Sequence, residues 1–251
     1  MSSPTSVSFQ LPDLLSLTRA FDLRANKRCR TALEESEEWL MGLNHTIGTR
    51  VLTEEEIERI PRQKMGLLAA LCFPTCDTPQ LRFVTDFLGL LVIANERVKR
   101  GGGDVSGWAE IQGCIDEVDF VELLESHSLF KWYVAAPFSP PEVRLFIFCS
   151  LQPRISRMKQ TTTPAWQKRF KSSILTLREA QLGVEKYRNT IPELDEYLEF
   201  TRNLTGLQAV FDLLEPAEGL DFDLAGKAAE DLDRLRRLAA EFIAISLVRR
   251  D

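Results

Sequence analysis

The segment LRFVTDFLGLLVIANERVKRG, residues 81–101, is where this sequence comes nearest to metal chemistry. An apolar helix that turns polar at Asn95 and Glu96 delivers oxygen-bearing side chains to one end of a helical bundle. On such a helix positions 95 and 99 share a face and 96 is adjacent. Three carboxylates there would make a magnesium cluster at a cavity mouth. The residues present are Asn95, Glu96 and Lys99. Asparagine offers a neutral carbonyl oxygen, and protonated lysine offers no lone pair at all, so Glu96 is the one anionic ligand. Asp86 lies about two and a half turns earlier and points to the opposite face.

Other chemistry-bearing groups are sparser. Cys72 and Cys76 form a C-x3-C pair, but a structural zinc site needs four ligands, and His45 and His127 are not spaced to help. Ordinary buried or half-buried thiols fit them better. Gly101–Gly103 lacks the preceding strand that a nucleotide loop requires and reads as a turn. The stretch 154–171 carries Arg154, Arg157, Lys159, Lys168, Arg169 and Lys171 without an acid. It suits a solvated face, or a contributor to an anion site.

The elements that must position these groups read as helices. Thr31 with Glu34, Thr53 with Glu56 and Thr190 with Glu193 have capping-box spacing. Thr78-Pro79, Ser139-Pro140 and Thr163-Pro164 place a hydroxyl N-cap before a first-turn proline. No Asn-Gly or Asp-Gly hairpin turn competes with them, so the fold class expected is all-α. Leu194, Tyr197, Leu198, Leu204 and Leu207 recur at helical intervals. Ala228, Leu232, Leu235, Ala239, Phe242 and Ile243 form an expected buried stripe, with Asp233, Arg236 and Arg237 off it. Phe87 to Ala94 is apolar nearly all round, which places its helix at the centre of the bundle.

Composition excludes several classes. The chain has 251 residues, 31 basic against 37 acidic, for a net charge of −6. That is the wrong sign for nucleic-acid binding by bulk charge. No apolar run reaches the roughly eighteen residues that span a bilayer, and the N-terminus does not read as a signal peptide. Five cysteines, an odd number, fit reduced thiols in the cytoplasm. No repeat or long linker divides the chain, so a single domain over 1–251 is expected.

Three segments carry a family resemblance. The run from Phe9-Gln10-Leu11-Pro12-Asp13-Leu14 through LCFPTCDTPQLRFVTDFLGLLVIANE resembles fungal class I terpene synthases of the sesquiterpene cyclase type. PELDEYLEFTRNLTGLQAVFDLLE is similar to the family's Tyr-Leu-x-x-Arg-Arg-x-Thr-x-Gly segment and the Leu-Ile-Glu after it. LRRLAAEFIAIS looks like the helix leading into the family's second metal motif. Together they span roughly 9–100 and 164–246 in the family's order; 101–152 shows little resemblance. The resemblance implies a helical bundle in which Mg2+ ions neutralise a prenyl diphosphate, farnesyl diphosphate for the sesquiterpene type. Diphosphate then leaves, and the carbocation reacts in an apolar cavity that excludes water. It further implies Arg202 as diphosphate sensor, Thr205 as linker and Gly206 as effector at a helix break, with Asn95 and Glu96 as what remains of a metal motif. Four residues apart on a helix, Arg202 and Gly206 would share a face.

Two departures shape the functional expectation. Lys99 stands where the motif has its distal carboxylate, and after Ser246 the sequence reads Leu247-Val248-Arg249-Arg250-Asp251 where Asn-Asp-x-x-Ser-x-x-x-Glu is expected. The expectation is therefore a terpene synthase-family protein, ancestrally a magnesium-dependent cyclase, impaired or inactive as written. The alternatives are a non-catalytic helical relic that binds a diphosphate or a protein partner, an incomplete gene model, and an unrelated amphipathic helical module. Self-association through an uncovered apolar face is expected as well. Product identity depends on aromatic residues such as Phe73, Phe87 and Phe211, which sequence alone does not place.

Overall fold

The computed structural model describes residue 19 and residues 22–46, 52–100, 161–188, 192–222 and 225–246. Among these, all regular structure is helical: α1 (Cys29–Thr46), α2 (Glu54–Gln63), α3 (Met65–Cys72), α4 (Thr78–Lys99), α5 (Pro164–Arg188), α6 (Leu194–Leu204), α7 (Leu207–Glu218) and α8 (Lys227–Ser246). The all-α expectation holds.

Caps explain most of the starts. Thr53 accepts from the Glu56 amide while Glu56 returns to the Thr53 amide, closing the capping box expected for α2. Thr163 accepts from the Trp166 amide and starts α5 ahead of Pro164. Two starts lie elsewhere than expected. The N-cap of α4 is Asp77, not Thr78, because its carboxylate accepts from the Gln80 amide and the Gln80 side chain answers the Asp77 amide. Thr31 lies inside α1, whose entry is set by Asn26. The Asn26 carbonyl accepts from the Cys29 amide, and its side-chain oxygen accepts from the Arg28 amide. Its side-chain NH2 donates to the carbonyls of Phe73 and Cys76, tying the start of α1 to the α3–α4 loop. Thr190, Ser139, and Arg154, Arg157 and Lys159 of the basic stretch fall outside the described residues.

α4 is the centre, as its apolar run predicts. Fourteen of its residues are buried, from Leu81 through Val98. It packs against α1 and α3 on one side and α5 and α7 on the other. Phe87 lies between Phe83 and Phe170, with ring centroids 6.5 and 6.1 Å away, and Phe170 stacks on Trp166 at 5.0 Å. Phe73 and Phe87 are both part of the packed core. Asp86 is fully buried on the α1 side, where it accepts from Ser36 Oγ at 2.6 Å and pairs with Arg82 at 2.9 Å.

Besides packing on α4, the second half is joined to the first by hydrogen bonds from the end of α7 to the α3–α4 region. Gln80 donates to the Pro216 carbonyl at 3.0 Å. The Glu218 carboxylate at the end of α7 accepts from the amides of Thr75 and Cys76, each at 3.2 Å, and from the Thr75 hydroxyl. α8 packs on α6 and α7, and here the expected stripe is wrong. Ala240 and Ala244 are buried, whereas Leu235, Leu238, Phe242 and Ile245 are exposed. Arg236 turns inward and pairs at 2.6 Å with Asp212 of α7, a carboxylate that also accepts from Ser173 Oγ at 2.6 Å. The buried carboxylate needs a cation, and that need outweighs the apolar pattern of α8. In α6, Leu204 is buried but Leu194 is 68% exposed.

Candidate functional site

The α4 terminus, the end of α6 and the start of α7 meet at one place. Asn95, half-buried, donates from Nδ2 to the Leu204 carbonyl at 2.8 Å and accepts at Oδ1 from Gln181 Nε2 at 2.9 Å. Gln181, on α5, accepts in turn from Arg178 Nη1 at 3.1 Å. Burial pushes the Arg178 guanidinium down to about 9, because removal from water penalises the charged form.

Glu96 faces the other way. It pairs with Arg59 Nη1 of α2 at 2.6 Å. Arg59 also pairs with Glu55, and Glu55 with Arg100 at 3.0 Å. Arg97 grips Glu56 through two bonds of 2.6 and 2.7 Å. Burial alone would raise the Glu56 carboxyl, but the Arg97 hydrogen bonds and charge and the Thr53 amide and hydroxyl bring it below its ordinary value. Lys99 is exposed at the last residue of α4.

These contacts decide the fit to a divalent ion. A hard cation needs free oxygen lone pairs and negative charge. Asn95 is neutral, Glu96 is the one carboxylate and is charge-paired with Arg59, and the third position is a lysine, so the negative charge is wanting. The donor set at the end of α4 does not fit Mg2+. No group of three or more His, Cys, Asp or Glu among the described residues is placed to hold a metal. That includes Cys72 and Cys76. Cys76 is buried with its thiol pushed up to about 12, first by burial and then by the charges of Glu218 and Asp77. Cys72 departs from the expectation of a buried or half-buried thiol: it is exposed, since it ends α3 away from the core, though partial desolvation still raises its thiol.

Arg202 sits in the last turn of α6 and pairs with Glu241 of α8 at 2.8 Å. Thr205 donates from Oγ1 to the Arg202 carbonyl at 2.6 Å and accepts from the Leu207 amide at 3.3 Å, which closes one helix and opens the next. Gly206, at φ 70°, is the break itself. A Cβ there would stand 2.8 Å from Leu91 Cδ1 and 3.3 Å from Leu177 Cδ2, so glycine is favoured by its conformation and any side chain would push on these leucine ends. The structure thus brings Asn95 to the α6–α7 break. It does not put Arg202 and Gly206 on one face, since the helix stops between them: Arg202 turns to α8, and Gly206 packs on α4 and α5. Of the basic stretch, Arg169 pairs with Glu215 and Lys168 is exposed. Phe211 is half-buried with the Arg236 guanidinium 5.9 Å from its ring centre.

Sequence reasoning missed Arg59, Arg178, Gln181 and Glu241. Arg178 and Gln181 did leave a signal, two polar residues three apart between Leu177, Ala180 and Val184 on a buried helix face. Arg59 and Glu241 leave none, because surface-type residues reveal a long-range partner only once the helices are packed.

Solved structures that superpose on this chain include terpene synthases. A cucumene synthase variant superposes with a TM-score of 0.60 at 18% identity, over 95% of this chain and 69% of that one. The linalool/nerolidol synthase of Streptomyces clavuligerus superposes with a TM-score of 0.62 at 16% identity, over 88% and 67%. At such identities the likeness establishes the fold. Residues 116–246 match the family model of terpene synthase family 2, C-terminal metal binding, and the chain belongs to that family. The match runs through 116–152, a stretch in which the sequence motifs show little resemblance. Among curated proteins it is similar to the sesquiterpene synthase Agr1 of Cyclocybe aegerita, 25% identical over 217 residues, 84% of this chain and 54% of that protein. Sesquiterpene synthase 1 of Postia placenta is 26% identical over 226 residues, 88% and 57% respectively. Sesquiterpene synthase 6 of the same fungus is 38% identical over a shorter 87 residues. The chain spans about half the length of the first two. No helix among the described residues is long and apolar enough to cross a membrane.

Proposed function

We propose that this chain recognises a prenyl diphosphate, farnesyl diphosphate first, and that its 251 residues turn it over slowly or not at all. Family membership and relatives named as sesquiterpene synthases support the substrate class. The observation that carries the weak turnover is the engagement of Asn95 and Glu96 by Gln181, Leu204 and Arg59. The family's ion is expected to be Mg2+, but no step of the proposal passes through it at the end of α4. In this reading Arg202 is the diphosphate sensor, Thr205 the linker and Gly206 the effector, and the protein works in the cytoplasm. Incubating the full chain with farnesyl diphosphate and MgCl2 should yield no terpene above background by gas chromatography–mass spectrometry. Clear product that disappears in Glu96→Gln would sink the proposal.

A second reading, diphosphate binding without turnover, is favoured by the Arg202 guanidinium at a helix break. Glu241 now holds that guanidinium, so an anion must displace it. Calorimetry should show Glu241→Gln binding pyrophosphate several-fold more tightly than the parent chain. Equal affinities would remove Arg202 from the anion site.

A further inference from the structure

We propose that Asn95 is a positioning residue for the α6–α7 break, and that in this role it withholds its oxygen from a divalent cation at the end of α4. The inference shares the engagement of Asn95 with the proposed function but concerns the fold, and its tests read stability, exchange and metal contact, not product. It rests on the direction of one chain of hydrogen bonds. A guanidinium only donates, so Arg178 fixes Gln181 with Oε1 toward itself. The Gln181 NH2 is then left to face Asn95 Oδ1. That in turn leaves the Asn95 NH2 for the Leu204 carbonyl. Each amide has one orientation that satisfies both neighbours.

The recipient explains why the chain of bonds exists. Leu204 is the last residue of α6, and Gly206 swings the backbone to φ 70° before α7 begins. Carbonyls in the last turn of a helix lack an intrahelical partner. Asn95 supplies the donor to this one from a separate helix, and so pins the break to α4. An aspartate at this position has no hydrogen to give. Its carboxylate would face the Leu204 carbonyl, oxygen against oxygen. A cation at Asn95 Oδ1 would have to share that oxygen with the Gln181 NH2, whose hydrogens point at the same atom. The bond that orients Asn95 for the break therefore competes with a metal for the same oxygen, and restoring a carboxylate at position 95 harms the fold.

The test uses the full chain with Asn95→Asp, Asn95→Ala, Glu96→Gln and Leu40→Ala, melted with and without millimolar MgCl2. Asn95→Asp should melt at least as low as Asn95→Ala, about 5 °C below the parent chain, and MgCl2 should restore neither. Amide hydrogen exchange at Gly206, Leu207 and Gln208 should quicken about tenfold in both Asn95 variants relative to the rest of the chain, a local opening of the break. It should not quicken selectively in Glu96→Gln, nor in Leu40→Ala, a core truncation in α1 that serves as the control for general destabilisation. In the unsubstituted chain, the Asn95 side-chain NH2 resonances should stay unmoved by Mg2+ and unbroadened by Mn2+, a readout independent of whether any variant folds. The proposal is overturned if Asn95→Asp melts at or above the parent chain in MgCl2. Unchanged local exchange in Asn95→Ala, or Mn2+ broadening at Asn95, overturns it too.

Discussion

α4 and α8 are helices of similar length, 22 and 20 residues, held to the protein by different balances of burial and charge, although α4 too carries ion pairs to α1 and α2. α4 is wrapped on nearly every side and owes its place to buried aliphatic and aromatic surface. α8 touches α6 and α7 along a narrow line of alanines and is fixed by two ion pairs, Arg236 to Asp212 and Glu241 to Arg202. Four of its larger apolar side chains, Leu235, Leu238, Phe242 and Ile245, are exposed, while Leu232 and Ile243 are half-buried. A helix placed by apolar burial has many small interactions to lose, while one placed by charge stands or falls on a few. The two segments that resemble the family's metal-bearing helices are thus positioned by different physics.

Cutting into α4 should produce the largest loss. Phe87→Ala removes a ring packed between Phe83 and Phe170 and should cost about 4 kcal/mol in denaturant unfolding. Arg236→Met tests the charge-held helix. It takes the Arg236 cation away from Asp212, which is 1% exposed and keeps its bond from Ser173 Oγ, and should cost about 3 kcal/mol. If it costs less than 1, α8 is not held by charge. A smaller effect belongs to the junction of α2 with α4. The Glu56 carboxyl lies below its ordinary value of 4.5 in the folded chain. Its contribution is therefore complete above that value and is lost as pH falls through the lower, folded one. An acid titration of stability should show this loss in the parent chain and not in Glu56→Gln. Smallest of all should be Leu235→Ser with Phe242→Ser on α8, which should change stability by under about 0.5 kcal/mol. We propose that this face drives self-association, so the same double variant should lower the weight-average mass in sedimentation; an unchanged mass removes that role.

How much of this was legible in the sequence follows the same division. The central position of α4 could be read from Phe87 to Ala94, because a run apolar on every side has only one stable place in a bundle. The Thr53 box and the Thr163 cap were equally readable, being local. The face of α8 was not, because it is chosen by Asp212, a carboxylate 24 residues away from its arginine. At the candidate site, Asn95, Glu96 and the break at Gly206 could be read, but not what each was already bonded to. Asn95 has two uses, as ligand and as donor, and only the positions of Gln181 and the Leu204 carbonyl choose between them.

The clasp of Glu218 on the α3–α4 loop has a kinetic meaning. Thr75 and Glu218 are 143 residues apart along the chain, whereas the contacts joining α1 to α4 all close within the first hundred residues. Closing long loops delays folding. The N-terminal helices are expected to assemble first and present the loop, with α7 seating its carboxylate last. By the same reasoning the clasp is expected to open early on unfolding, and cleavage at Thr75 that precedes loss of the α1–α4 contacts would report the departure of α7.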